Sequence, residues 1–242
     1  MKGNLTQETL ELIYSRNCNI CGNVGYKIKK IPPDETYLSG REVAVECECR
    51  ELLGLYSKSG VEIRYQNCCF DNYVIDENNR GAIELIKNFV TKYPDVNKSI
   101  LINGPVGTGK TWSVSTLVNE FIWNHKKQTK IINVPILLDK IRGGINNKQQ
   151  YKEVNEEITE LLNCELLVLD DLGAERMLDD AKGDWIRERI YILLEDRWSK
   201  QRYLAITTNC TGEQISEKYG QRITDRIMGL CSGESLLGES KR

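Results

Sequence analysis

The feature that most constrains this chain is a glycine-rich loop of eight residues, placed between an apolar β run (99–104) and a helical pattern that includes Val114. The loop matches G-x-x-x-x-G-K-S/T without a mismatch and consists of Gly104, Pro105, Val106, Gly107, Thr108, Gly109, Lys110 and Thr111. Glycines let the backbone approach a phosphate closely, and the positive end of the following helix attracts its charge. We therefore expect an ATP site in which Lys110 bridges the β- and γ-phosphates and Thr111 ligates Mg²⁺. The alternative is a glycine-rich turn without a ligand, and a complete match in this setting argues against it.

Two further strands end in polar side chains that suit the same site. The apolar run 165–170 ends at Asp170 and is followed by Asp171, and the run 203–209 ends at Asn209. Parallel sheets place ligands at the carboxyl ends of their strands, so these side chains are expected beside the phosphate loop. We expect Asp170 to hold Mg²⁺ through its waters, and Asp171 to orient or deprotonate the attacking water. A solvated strand end with acidic caps, and an asparagine that serves only a turn, are the alternatives.

The order of apolar patterns predicts an α/β fold. Strands are predicted at 99–104, 131–134, 165–170 and 203–209, and helices at 82–93, 114–122, 151–162 and 185–198, with two short helices between Thr211 and Met228. Strands that alternate with helices indicate a parallel sheet with helices on both faces. The continuous apolar run 165–170 is typical of a strand that is buried on both faces.

Composition excludes several classes of protein. The chain has 242 residues, and 33 basic against 35 acidic residues give a net charge of −2, which argues against a uniformly basic DNA binder but not against a local basic stripe. No apolar run approaches the ~18 residues that a membrane span needs. The first residues lack the apolar core of a signal peptide, so we expect a cytoplasmic protein without a membrane partner.

Nine cysteines are many for such a chain, and four of them cluster early. Cys18, Cys21, Cys47 and Cys49 offer the number and softness of thiolates that a closed structural Zn²⁺ site uses. The second pair is spaced C-x-C, which weakens the pattern, and four reduced cysteines without metal are the alternative. A segment this small can hardly bury four thiols otherwise. We therefore expect a short helix at 5–15 within a zinc-binding module (1–54), then a connector (55–79) and an ATPase domain (80–242).

Taken together, the loop 104–111, the run LLVLDDLGAE (166–175), the run AITTN (205–209) and the run YGQRITDRIMG (219–229) resemble AAA+ ATPases of the helicase-loader (DnaC/DnaI-like) group. The resemblance extends from about Phe70 to the C-terminus, includes phage and prophage members, and makes the first two motifs Walker A and Walker B. It implies a P-loop NTPase fold in which the Thr-Thr-Asn strand lies between the other two motif strands. It also implies that Asn209 is the sensor-1 residue, and that Arg226, or Arg222 nearby, is an arginine finger for a neighbouring subunit. The chain ends about a dozen residues after Met228, so no C-terminal helical lid is expected.

The resemblance also implies a function. Such loaders place a replicative DNA helicase on single-stranded DNA, self-associate in the ATP state and often begin with a similar cysteine head that contacts the helicase. Most AAA+ proteins carry Glu where Asp171 stands, although DnaI-like members have Asp-Asp, and the shorter side chain predicts slow hydrolysis. An IstB-like transposition helper ATPase and a non-hydrolysing, ATP-stabilised zinc adaptor are the alternatives.

Overall fold

A computed structural model describes residues 21, 25–144, 148–175, 181–238 and 240, so the helix expected at 5–15 and Cys18 lie outside the described residues. The chain divides into two compact units between Lys58 and Ser59. In the smaller unit, β1 (Tyr26–Ile31) and β2 (Arg41–Glu46) pair as an antiparallel hairpin. Helix α1 (Cys49–Ser59) follows the hairpin and ends where the units divide.

The larger unit begins with 3-10 turns at Ile63–Tyr65 and Phe70–Asn72. Its strands are β3 (Ser99–Asn103), β4 (Thr129–Asn133), β5 (Leu166–Leu172), β6 (Tyr203–Thr208) and β7 (Cys231–Ser235). Its helices are α2 (Arg80–Lys92), α3 (Lys110–His125), α4 (Val134–Gly144), α5 (Lys148–Asn163), α6 (Ala181–Ser199), α7 (Gly212–Tyr219) and α8 (Gln221–Leu230). Among the described residues, no helix is both long and apolar enough to cross a membrane.

The five strands of the larger unit form one parallel sheet in the order β4-β5-β6-β3-β7. The α/β class is confirmed, and β6 lies between β3 and β5 as the resemblance implied. Helix α1 and two elements of the larger unit were not expected. Strand β7 has a mostly polar sequence with a single buried residue, Cys231, and α4 begins at the end of the run that we assigned to a strand.

Alternate residues of the central strands face two different helical layers. Leu101, Leu167 and Leu204 belong to a core cluster that includes residues of α4, α5, α6 and α8. The intervening residues Ile100 and Val168 are equally buried but lie outside that cluster, on the face where α2 and α3 contact the sheet. Helices therefore cover both faces, and β5 is buried on both, as its continuous apolar sequence predicted.

The segment that follows α1 packs on α3. The Asn119 side-chain amide donates hydrogen bonds to the backbone carbonyls of Tyr65, Gln66 and Cys68, at 3.0, 3.2 and 2.9 Å. The Glu120 carboxylate accepts a hydrogen bond from the Phe70 amide at 2.9 Å. Much of the predicted connector therefore belongs to the compact larger unit.

Candidate active site

The loop between β3 and α3 holds its glycines in backbone conformations that other residues rarely adopt. The φ angles are 156° at Gly104, 88° at Gly107 and 96° at Gly109. Gly109 is the N-cap of α3, and its carbonyl accepts the first helical hydrogen bond from Ser113 at 2.9 Å. Because glycine has no Cβ, the chain can turn at these positions and present backbone N–H groups to an anion at the start of the helix.

Lys110 is buried, and its ammonium group lies over the loop. Its Nζ atom donates hydrogen bonds to the carbonyl oxygens of Gly104 and Pro105, both at 2.8 Å. The Thr108 hydroxyl donates to the same Pro105 carbonyl at 3.0 Å and fixes the loop from inside. The positive charge is thus already placed where the phosphates of a nucleotide would enter the loop.

Thr111 and Asp170 meet at the end of β5. The Thr111 hydroxyl donates to Asp170 Oδ2 at 3.0 Å, and the Thr207 hydroxyl donates to Asp170 Oδ1 at 2.6 Å. Burial raises the pKa of the Asp170 carboxyl, while the two hydroxyl hydrogen bonds and the charge of Lys110 oppose that rise. A hydroxyl and a carboxylate are the hard oxygen ligands that Mg²⁺ prefers, so this pair fits the ion.

Asp171 adopts a left-handed backbone conformation, with φ of 61°. The pairing of β5 with β6 shifts register between Leu169 and Leu172, so Asp171 lies in a β-bulge. Its backbone N–H donates to the Thr207 hydroxyl at 2.9 Å, which fixes the bulge. Bulges next to active sites redirect a side chain, and aspartate tolerates this conformation better than most residues.

Sequence reasoning missed Thr207, which touches both aspartates. It is fully buried in the central strand β6, where a hydroxyl needs a partner. The signal that could have revealed it is a threonine within an apolar strand, two residues before Asn209. The neighbouring Thr208 carbonyl accepts a hydrogen bond from the Gly104 amide at 3.2 Å, which ties the phosphate loop to β6.

Asn209 follows β6 directly and lies at the same sheet edge as the phosphate loop. Its side chain is exposed, and its Oδ1 atom lies 3.6 Å from the Cys210 thiol. The position suits a polar group that faces bound nucleotide.

Arg226 and Arg222 both contact α6 within the same chain. Arg226 Nη2 lies 2.7 Å from Glu195 Oε2, and its guanidinium stacks on the Trp198 ring at 5.1 Å. Arg222 donates to the Tyr191 hydroxyl at 2.8 Å. The ion pair of Arg226 is therefore made with α6.

Leu236 and Ser240 lie against the phosphate loop. The Leu236 amide donates to the Asn103 carbonyl at 2.7 Å, and its side chain is fully buried. A Cβ atom at Gly104 would overlap the Leu236 carbonyl oxygen, and one at Gly107 would overlap the Ser240 hydroxyl oxygen. The absence of a Cβ at these glycines therefore also allows Leu236 and Ser240 to pack against the loop. The local sequence does not predict this contact.

In the smaller unit, three of the four predicted metal-ligating cysteines lie together. The sulfur atoms of Cys21, Cys47 and Cys49 lie within 4.8 Å of one another, and those of Cys21 and Cys49 are 3.5 Å apart. The Cys21 sulfur also accepts a hydrogen bond from the Gly25 amide at 3.3 Å. This donor set fits a thiophilic ion such as Zn²⁺, and Cys18 lies outside the described residues.

Comparisons with known proteins identify the fold and the family of the chain. The chain is 25% identical over 190 residues to the replicative helicase loader DnaC of Escherichia coli strain K12, an alignment that covers 77% of this chain and 74% of that protein. A putative primosome component from Streptococcus pyogenes serotype M3 shares the fold, with a TM-score of 0.65 and 20% identity over 81% of this chain and 100% of that one. A crystal structure of the DnaC helicase loader does so with a TM-score of 0.63 and 22% identity over 73% of this chain and 100% of that one. The family model of the IstB-like ATP binding protein matches residues 69–242, so the chain belongs to the IstB-like ATP-binding protein family.

Proposed function

We propose that the chain is an ATP-hydrolysing helicase loader of DNA replication, which assembles in the ATP state and places a replicative DNA helicase on single-stranded DNA. The observation that carries the proposal is the hydrogen-bonded group Thr111, Asp170 and Thr207 beside a complete phosphate loop. The similarity to the E. coli replicative helicase loader supports the choice of helicase loading among the uses of such a site.

The residues of the site divide the work of binding and hydrolysing ATP. The loop N–H groups and Lys110 bind the phosphates and balance their charge. Thr111 and Asp170 would hold Mg²⁺, which supplies further positive charge at the β- and γ-phosphates. Asp171 takes a proton from the attacking water, and the Asn209 amide orients that water.

Assembly completes the site in this proposal. Arg226 leaves its contact with Glu195 and reaches the γ-phosphate that a neighbouring subunit holds. A guanidinium supplied in this way stabilises the charge that spreads over the phosphate oxygens in the transition state. Hydrolysis is then slow in the isolated chain and faster in the assembly, which suits a switch.

The smaller unit supplies the contact with the helicase. We assign Cys18, Cys21, Cys47 and Cys49 as ligands of one Zn²⁺ ion, because a hairpin of this size has too little apolar surface to fold alone. The ion stabilises the β1–β2 hairpin, and the partner helicase binds this unit.

The test is reconstitution of helicase loading. The full chain, a replicative helicase and circular single-stranded DNA are mixed with ATP, and the helicase bound to the circles is measured after gel filtration. We expect ATP to increase this amount, and the Lys110→Ala variant, which lacks the charge that binds the phosphates, to abolish the increase. Equal amounts of bound helicase with and without the chain would contradict the proposal.

The family match supports one second candidate, an IstB-like transposition helper. The two functions differ in partner, since the helper acts with a transposase and the loader with a helicase. Co-purification of the chain with the products of its neighbouring genes separates them: a helicase or replication initiator supports loading, and a transposase supports the alternative.

A further inference from the structure

A cleft of about 470 Å³ opens at the edge of the sheet opposite the phosphate loop. It lies where the chain enters β3 and β6, and its walls include Asn97, Lys98, Arg197, Trp198, Gln201 and Arg202. Because β3 has five residues, the length of the strand separates the cleft from the nucleotide loop by roughly 17 Å. The cleft is therefore distinct from the site described above, and its size is within the range of ligand-binding cavities.

Three cations line the cleft, and no aspartate or glutamate of the described chain does. Lys98 donates to the Gly229 carbonyl, Arg202 donates to the Leu162 carbonyl, and Arg197 donates to carbonyls at the end of α5. Within the part of the chain that the structure describes, none of these three cations forms an ion pair with a carboxylate. Their hydrogen bonds to uncharged carbonyls hold them in place, and no described carboxylate neutralises them by a direct ion pair.

Among these three cations, Arg197 has the greatest need of a counter-ion, because its side chain is fully buried. Two of its guanidinium nitrogens contact backbone carbonyls and the Cys164 sulfur, whereas its Nε atom is buried with no hydrogen-bond partner among the described residues. Burial lowers the pKa of Arg197, and a guanidinium remains protonated in proteins. A buried positive group without a counter-ion is costly, and an anion in the cleft would offset that cost.

Three carboxylates lie close enough to act on groups of the cleft, but none of them lines it. Asp196 is paired with Lys200 at 2.5 Å, and Glu165 accepts a hydrogen bond from the Tyr93 hydroxyl at 3.1 Å. Tyr203 lines the cleft, and its pKa is raised first by burial and then by the charges of Glu165 and Asp95. These two carboxylates therefore lie near the wall that Tyr203 forms. Neither of them lines the cleft, whose surface keeps an excess of positive charge.

Trp198 adds an aromatic surface to this charge. The residue is 47% exposed and lines the cleft, and the Arg226 guanidinium stacks on one part of its ring at 5.1 Å. The side-chain amides of Asn97 and Gln201 lie in the same walls and can bond to sugar or base edges. Uncompensated cations beside an exposed indole are the combination that binds a nucleic-acid strand through its phosphates and an unstacked base.

We propose that this cleft binds the phosphodiester backbone of single-stranded DNA, with one base stacked on Trp198. Lys98 and Arg202 contact phosphates, and the buried charge of Arg197 adds to the field in the cleft. A duplex keeps its bases stacked inside and offers none to the indole, so the cleft favours single strands. The choice of DNA rests on the proposed function in replication.

The test is an equilibrium titration of a fluorescent oligo(dT) with the full chain at several salt concentrations, without ATP or helicase. The Lys98→Gln/Arg202→Gln double variant keeps N–H donors for the carbonyl bonds but loses two charges. We expect at least a ~10-fold weaker affinity and a slope of log K against log salt that is smaller by about 1.4, at ~0.7 per lost phosphate contact. The Lys98→Arg/Arg202→Lys variant, which keeps both charges, should bind within about 2-fold of the unmodified chain.

Two controls locate the effect. Lys126→Gln/Lys127→Gln removes two charges at the end of α3 and should leave affinity and slope unchanged. Trp198→Ala should weaken binding at least ~5-fold with an unchanged slope, because it removes stacking and no charge. Thermal melting verifies that each variant is folded.

Several results would overturn the assignment. They are an unmodified chain that does not bind oligo(dT), a Lys98→Gln/Arg202→Gln variant with unchanged affinity and slope, and a loss of binding in the α3 control alone. If the Gln variant does not fold, an unchanged affinity of Trp198→Ala overturns the assignment instead. Because no helicase is present, failure of helicase loading leaves this result unaffected, and the two proposals can fail separately.

Discussion

At the scale of single residues, the backbone of Asp171 explains why an aspartate, and not a glutamate, follows Asp170 in this chain. Its φ of 61° is accessible to Asp and Asn but strained for longer side chains, and the Thr207 hydroxyl holds the bulge closed. The backbone therefore favours Asp over Glu at this position, although the shorter side chain extends less far toward the water that it is proposed to activate. The sequence predicted a base here but gave no sign of this conformation.

We expect Asp171→Asn to separate catalysis from folding. Asparagine tolerates the same conformation, so the melting temperature and the affinity for Mg·ATP should stay close to those of the unmodified chain. Turnover, measured by phosphate release, should fall by ~10²-fold because the general base is lost. Asp171→Ala is the matched comparison and should also lower the melting temperature. Unchanged turnover in Asp171→Asn would show that another acid, such as Glu175, is the base.

Gly104 and Gly109 lie in the same loop but depend on glycine for different reasons. A Cβ at Gly104 overlaps the Leu236 carbonyl oxygen, whereas a Cβ at Gly109 meets nothing within 4 Å and is opposed only by a φ of 96°. We expect Gly104→Ala to lower the free energy of unfolding by about 2–3 kcal/mol and Gly109→Ala by about 1 kcal/mol. Urea titrations measure both values, and equal losses would contradict the role of the Leu236 contact.

At the scale of elements, the sequence predicted the helices and strands whose apolar residues pack in the core around the sheet. Strand β5 and the amphipathic helix α2 can be predicted from their local sequence, because each contacts the core along its length. Strand β7 is held by backbone pairing with β3, so its polar side chains carry no signal. The contacts of Thr207 and Leu236 with the site were also missed, since they join segments far apart in the chain.

The β1–β2 hairpin is the element that depends most on a metal in our proposal. The purified chain should contain one zinc per subunit by elemental analysis when it is protected by reductant. Cys47→Ser removes a buried thiol of the cluster, so the hairpin should lose its protection from amide hydrogen exchange while ATP affinity stays unchanged. Cys69→Ser, outside the cluster, is the control and should keep the metal. Zinc-free protein with a protected hairpin would contradict the assignment.

At the scale of the whole molecule, we propose that an arginine of α8 makes ATP turnover depend on assembly. Both arginines of this helix are occupied by α6 in the single chain, Arg226 with Glu195 and Arg222 with Tyr191. The Arg226–Glu195 ion pair is partly exposed and therefore weak, and Arg222 only donates a hydrogen bond to a hydroxyl, so a neighbouring γ-phosphate can compete for either guanidinium. In the proposed assembly, Arg226 would act on the nucleotide of a neighbouring subunit, whereas in the single chain it contacts α6.

We expect Arg226→Ala to preserve nucleotide binding and to remove most ATP turnover, with a fall of ~10³-fold or more if the guanidinium acts as a finger. Turnover per molecule of the unmodified chain should rise with protein concentration. A mixture of Arg226→Ala with Lys110→Ala should regain activity, because one subunit then supplies the phosphate loop and the other the arginine. Arg222→Ala is the matched variant, since it loses a comparable contact with α6. A loss of turnover in Arg226→Ala alone would identify Arg226, and not Arg222, as the finger. Turnover that is independent of dilution, with no recovery in the mixture, would leave Arg226 with a structural role at Glu195 only.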